Sequence, residues 1–236
     1  ESIDAAYDLV KDKTQTLHAL VNNAGISTSG YIDWITMESM RKIMEVNFFG
    51  HVAMTKKFLP ILITKRYSRV VNICSVAGFV SAQMKSAYSA SKYALESFSD
   101  CLRREMYPWG LYVSIIEPGP MRTPIIQGHD EYMKEFWRNL STDVQQRWGE
   151  EFLQIQSKKI SDNFLYRHAE DPIKVVNALQ NAVCCSKPEI RYRPGWQSKY
   201  FFLPLSMLPD WLADWILISS ANSTIQPTGL HKQHVD

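Results

Sequence analysis

The chain has 236 residues, of which 45% are hydrophobic and 21% charged. That is enough for one sizeable domain with a real core, or at most two small ones, in a protein of ordinary soluble composition. With 26 Lys and Arg scattered against 24 Asp and Glu, a net charge of +2 leaves no electrostatic footprint for nucleic acid.

The first segment, Glu1-Ser-Ile-Asp-Ala-Ala-Tyr7, has no initiator Met, basic n-region or apolar h-region. It reads as the middle of an amphipathic helix over 2–12 rather than a signal peptide, because Ile3, Ala6, Tyr7, Leu9 and Val10 recur at helical spacing. Leu17–Val21 reads as a short buried strand stopped by Asn22-Asn-Ala-Gly25, and a helical pattern runs from Met37 to about Thr64. The strand Arg69–Cys74 ends in Ser75-Val-Ala-Gly78. A helix from about Ala87 to Tyr107 is broken by Pro108 and Gly110, and the strand Leu111–Ile116 ends at Glu117-Pro-Gly-Pro120. Residues 124–170 mix Tyr132, Phe136, Trp137, Trp148, Phe152, Phe164 and Tyr166 with many charges, as amphipathic helices laid over the third strand end. A helix near Pro172–Cys184 and a short strand near Ile190–Tyr192 complete the sheet.

Short apolar strands alternating with helices predict βαβ units: an α/β, doubly wound parallel sheet with helices on both faces. Ligands of such sheets sit beyond the carboxyl ends of the strands. The places to look are therefore Asn22–Gly25, Ser75–Gly78 and Pro118–Thr123.

The sharpest constellation is Ser75, Tyr88 and Lys92. Tyr88 and Lys92, four apart on a helix, share one face. A phenol titrates near ~10, too high for a base at neutral pH, so a neighbouring ammonium is expected to lower it. Ser75, at a strand end, is placed to hydrogen-bond a substrate oxygen. The same spacing occurs in Tyr7 and Lys11, read as a surface face without function. Cys74, Cys101, Cys184 and Cys185 fall at no zinc spacing, and His231 and His234 lie in a polar tail, so no metal is expected.

Asn22-Asn-Ala-Gly25, Val46-Asn47, Ser75, Tyr88-Ser-Ala-Ser-Lys92 and Pro118-Gly119 stand in the order and approximate spacing of short-chain dehydrogenases/reductases, and the resemblance covers essentially the whole chain. Phe98-Ser-Asp-Cys-Leu-Arg-Arg-Glu105, Val113–Gly119, Arg191-Tyr-Arg-Pro-Gly-Trp196 and Phe202–Pro209 look like the branch of retinol dehydrogenases and 17β-hydroxysteroid dehydrogenases. The resemblance implies a Rossmann-like fold and hydride exchange between a lipophilic alcohol (retinol or a hydroxysteroid) and NAD, with NADP not excluded. It makes Tyr88 the general acid/base, Ser75 the group that orients substrate, Lys92 the group that lowers the Tyr88 pKa and binds the cofactor ribose, and Asn47 the holder of a relay water. By its own spacing, Asn47 reads as a helix-interior residue bonded to backbone. Asn22, Ala24 and Gly25 would line the adenosine ribose side, and Pro118, Gly119 and Thr123 the nicotinamide.

The family's Gly-rich pyrophosphate turn has no counterpart before Asn22. The expectation is a single incomplete domain over 1–236 that lacks its first three strands, begins as the family's fourth strand is about to start, and keeps the chemistry without the main cofactor anchor. Two functions follow: a fragment of an active dehydrogenase, or a truncated, non-catalytic remnant that binds only a lipophile or a partner. The apolar segment 200–219 is interrupted by Pro204, Pro209, Asp210 and Asp214, which argue against a spanning helix. Trp211, Leu212, Trp215 and Ile216 would instead form a stripe, either for a helix packed on its own domain or capping the substrate pocket, or for peripheral membrane contact, which the resemblance favours and sets at the endoplasmic reticulum surface, otherwise the cytoplasm. A homodimer is left open.

Overall fold

The computed structural model describes residues 2–126, 129–221 and 225–232. His234 lies outside the described residues, and so does the Tyr132 side chain. The chain runs α1 (Ser2–Lys11), β1 (Ala19–Asn22), α2 (Met37–Met44), a π-turn (Glu45–Phe49), α3 (Gly50–Leu62), β2 (Arg69–Ile73), α4 (Ser86–Glu105) and β3 (Tyr112–Ile116). It continues through α5 (His129–Arg138), α6 (Thr142–Trp148), α7 (Glu150–Ser161), α8 (Phe164–Arg167), α9 (Ile173–Cys184), β4 (Arg191–Tyr192), a second π-turn (Gln197–Phe202), α10 (Leu203–Leu205) and α11 (Asp210–Ala221).

Among the described residues the strands form one parallel sheet in the order β1-β2-β3-β4. Asn22 stands opposite Asn72, and Ile73 opposite Ile116, so the three main strands end nearly level. Val70 and Val113 face α3 and α4, in a core with Leu20, Phe58, Leu62 and Leu102. Val71 and Ile116 face α9 through Ala178 and Ala182. Strands covered on both faces need apolar residues at nearly every position, which is why the strand sequences show no alternation.

Three expectations shift. The helix read from Met37 to Thr64 runs on without a break to Leu62 but carries a π-turn in its middle, whose central Asn47 is tied to other elements. The lid over 124–170 packs less on the third strand end than on the segment after β1: Trp34 and Tyr31 sit in one aromatic cluster with Trp137, Trp148, Phe152 and Met133. Its link to the third strand end is the bridge between Met121 and Glu170. Finally, the stripe read on 211–216 splits: Trp211 and Trp215 are exposed, while Leu212 and Ile216 are half-buried. No helix of the described residues is long and apolar enough to cross a membrane.

Candidate active site

The carboxyl ends of β1, β2 and β3 open on one side of the sheet, and α4 runs along them. Ser75 follows β2. Its hydroxyl oxygen accepts from the Ala77 N–H at 3.1 Å, capping the short turn Val76–Gly78. A Cβ on Gly78 would lie 2.7 Å from Cys74 Sγ and 3.2 Å from the Lys92 carbonyl, so only glycine lets this turn close on α4. Closure brings Ser75 within hydrogen-bonding reach of the half-buried Tyr88 phenol.

Burial pushes the Tyr88 phenol up to about 12, with the Ser75 hydrogen bond pulling the other way and Cys74 and Tyr166 adding to the rise. The net shift is upward, set by burial, and Lys92 is not among its causes. The Lys92 ammonium is buried, donates to the Ile73 carbonyl at 2.9 Å and lies over the Tyr88 ring, 5.7 Å from its centroid. Desolvation lowers the Lys92 pKa. An uncharged phenol is the cheaper form in a dry site.

Gly25 faces this ammonium. A Cβ there would sit 3.7 Å from Asn47 Oδ1 and 3.8 Å from Lys92 Nζ, so the missing side chain leaves a small polar gap between the two. Asn47 itself is fully buried and bonded: Nδ2 donates to the Ile26 carbonyl at 2.9 Å and to Ser91 Oγ at 3.0 Å, and Oδ1 accepts from the Ile26 N–H at 2.8 Å. One lone pair of Oδ1 is left to face the gap.

The Asn22 side chain departs from the expected ribose contact. It is buried and donates to Thr55 Oγ1 at 3.0 Å and to Asn72 Oδ1 at 2.8 Å, so it ties β1 to α3 and β2 instead of pointing outward. Asn23, Ala24 and Gly25 form the exposed part of that turn. On the third strand end, Pro118 and Gly119 are half-buried, Gly119 lies against Gln197, and the Thr123 hydroxyl donates to the Met121 carbonyl at 3.4 Å. Glu117, just before them, is 1% exposed and holds Arg191 and Arg193 at 2.9 and 2.7 Å. Burial nevertheless raises its carboxyl to about 7. These ion pairs anchor the segment after β4 beneath the Pro118 turn.

Spacing gave no sign of several neighbours. Ser91 bonds both Asn47 and the Tyr88 carbonyl, and Tyr166 of the lid comes close enough to shift Tyr88. Lys85, one turn ahead of Tyr88, donates to Ser29 Oγ at 2.6 Å. Among the described residues it has no carboxylate partner, and burial brings it down to about 8. A half-buried lysine bonded to a serine far away in sequence leaves no trace in a sequence pattern.

The small residues at the strand ends, the buried ammonium and the polar gap at Gly25 fit the nicotinamide riboside of a dinucleotide. Lys92 and Tyr88 would face its ribose hydroxyls, with Gly25, read from sequence onto the adenosine ribose side, beside Lys92 instead, and the Pro118–Gly119 turn would flank the nicotinamide. The short chain dehydrogenase profile matches residues 1–134. Short-chain dehydrogenase/reductase family 9C member 7 of Bos taurus is 38% identical over 92% of this chain and 70% of its own length. The 17-beta-hydroxysteroid dehydrogenase type 6 of Bos taurus is also 38% identical, over 93% and 70%. Retinol dehydrogenase 5 of Mus musculus is 38% identical over 88% and 67%. Among solved structures, a short-chain dehydrogenase from Streptomyces avermitilis superposes with a TM-score of 0.68 at 27% identity, covering 94% of this chain and 76% of that one. The chain belongs to the short-chain dehydrogenase/reductase family of NAD(P)-dependent oxidoreductases, in the branch that holds retinol and hydroxysteroid dehydrogenases.

Proposed function

We propose that the protein interconverts a lipophilic alcohol, a retinoid or a hydroxysteroid, and its carbonyl, with Tyr88 as the acid–base group. The observation that carries this reading is the Tyr88 phenol set beside the Ser75 hydroxyl, with Lys92 one helical turn on. NAD(P), when bound, supplies or takes the hydride. Ser75 accepts a backbone bond through its oxygen and so keeps its proton for the substrate or phenol oxygen. In carbonyl reduction Tyr88 gives its proton to the oxygen that becomes the alcohol. In oxidation the phenolate takes the alcohol proton as the hydride leaves the same carbon. Lys92, across the gap at Gly25 from Asn47, is suited to resupply that proton through a water held there.

The lid supports a bulky apolar substrate. Tyr31 and Trp34, from the segment after β1, pack with Trp137, Trp148 and Phe152 of the lid in one aromatic cluster, which suits an apolar neighbour. In this reading 1–236 is one domain, 124–170 its lid, and 200–219 a segment with exposed Tyr200, Met207, Trp211 and Trp215. Those side chains suit peripheral contact with an endoplasmic reticulum membrane that carries the substrate. The test is turnover by the full-length protein of a retinoid and a hydroxysteroid against a short polar alcohol, with NAD and NADP in turn. A higher kcat/KM for the lipophilic alcohols is expected; equal or better use of the polar alcohol overturns the substrate class.

A further inference from the structure

Thr55, His51 and Asn47 lie at intervals of four along one helical face, all at most 2% exposed. Each bonds an alternate residue of the extended segment after β1. Thr55 Oγ1 takes the Asn22 amide at 3.0 Å, His51 Nε2 meets the Ala24 carbonyl at 2.8 Å, and Asn47 clasps both backbone groups of Ile26. The match is geometric: four helical residues rise about 6 Å, and two extended residues span about 6.6 Å. The rungs therefore stay in step over the whole segment.

His51 is the middle rung and the only one that can titrate. A carbonyl only accepts, so Nε2 carries the proton and Nδ1 is a bare lone pair, buried without a hydrogen-bond partner among the described residues. Burial first, and then the charge of Lys92 on α4, hold the imidazole below its ordinary pKa, against the Ala24 bond. A second proton would sit on Nδ1 with nothing to receive it.

We propose that His51, as the neutral Nε2–H tautomer, is a positioning residue for the dinucleotide, fixing the Ala24 carbonyl and with it the exposed Asn23–Gly25 turn. This rests on the reading that the turn faces the cofactor. It predicts that His51→Leu in the full-length protein weakens NADH binding about tenfold, the worth of one buried hydrogen bond, while kcat at saturating cofactor stays within about twofold. His51→Gln keeps a donor at a comparable reach and restores binding. In the wild type, NADH affinity falls as pH drops below the usual histidine range, and His51→Gln loses that dependence. The measurements are fluorescence titration with NADH from pH 5 to 8 and steady-state kinetics. Unchanged NADH affinity in His51→Leu overturns the proposal, as does a fall in kcat alone. Should His51→Leu fail to fold, the pH slope decides: the same acid loss in the wild type and His51→Gln overturns it. If Tyr88→Phe keeps its turnover, the fault lies in the reading of the site and not in His51.

Discussion

Two Tyr-x-x-x-Lys pairs in one chain hold nearly the same internal geometry. Lys11 Nζ lies 5.8 Å from the Tyr7 ring centroid on α1, and Lys92 Nζ 5.7 Å from that of Tyr88 on α4. On α1, which buries no residue fully, Tyr7 leans on Phe58, Lys57 adds a second cation over its ring, and Lys11 is exposed. On α4 the lysine is buried, its ammonium is bound to a strand carbonyl, and a serine from another strand end reaches the phenol. The spacing is shared and the chemistry is not. What separates the pairs is the dry, crowded end of a parallel sheet, where protonation states are expensive to change.

The largest test of that contrast is to remove both phenol oxygens separately. Tyr88→Phe is expected to lower turnover on the order of 10³-fold with the fold intact, while Tyr7→Phe leaves turnover unchanged. A comparable loss in both variants breaks the comparison. The next concerns direction: with the Tyr88 phenol at about 12, the proton-donating form prevails at neutral pH. The rate of alcohol oxidation should therefore climb from pH 7 toward pH 10, while carbonyl reduction stays flat or falls. A flat oxidation profile would show that the bound cofactor offsets burial entirely.

A third test measures what the crowding costs. Lys85 at about 8 in the folded chain, against an unfolded value near ~10.5, is charged in both states below pH 8 and there carries its full desolvation penalty. Folding stability should rise as pH climbs through 8, and the penalty should be gone above about 10.5. Lys85→Met is accordingly expected to stabilise the protein at pH 7 by an amount on the order of 3 kcal/mol, read by chemical denaturation. A variant no more stable than the wild type means that Lys85 has found a counter-charge. The smallest effect belongs to the exposed side. Lys57→Ala removes the surface ion pair with Asp4, and no measurable change in unfolding midpoint is expected.

Much of the fold was legible because parallel strands are apolar runs and their ends carry small residues. The strand read at Leu17–Val21 forms at Ala19–Asn22, because the Leu17 N–H bonds the Ile61 carbonyl of α3 and so lies outside the ladder. The positions of Ser75, Tyr88 and Lys92 were legible as a pattern. The Tyr88 shift was not, because burial depends on elements far away in sequence. The roles of Asn22 and Asn47 were half legible: both belong to the site, but their side chains are spent on holding Thr55, Asn72, Ile26 and Ser91. His51 left no sequence signal, since a lone histidine in an apolar helix is a common core residue.

The π-turn at Glu45–Phe49 makes chain length matter as much as residue type. Its extra residue sets the rotational phase between α2, whose Ile43 packs on Ile35 and Ala87, and α3, whose His51 and Thr55 grip the strand end. Deleting one residue there would turn one half against the other by about 100°, sending either Ile43 or the two polar side chains to the wrong side. Substitutions scattered along this helix are tolerable one at a time. A single-codon deletion anywhere between Ile43 and Thr55 would upset the phase between the two faces, so a scan of deletions should show function lost across that whole stretch, the five positions of the π-turn included.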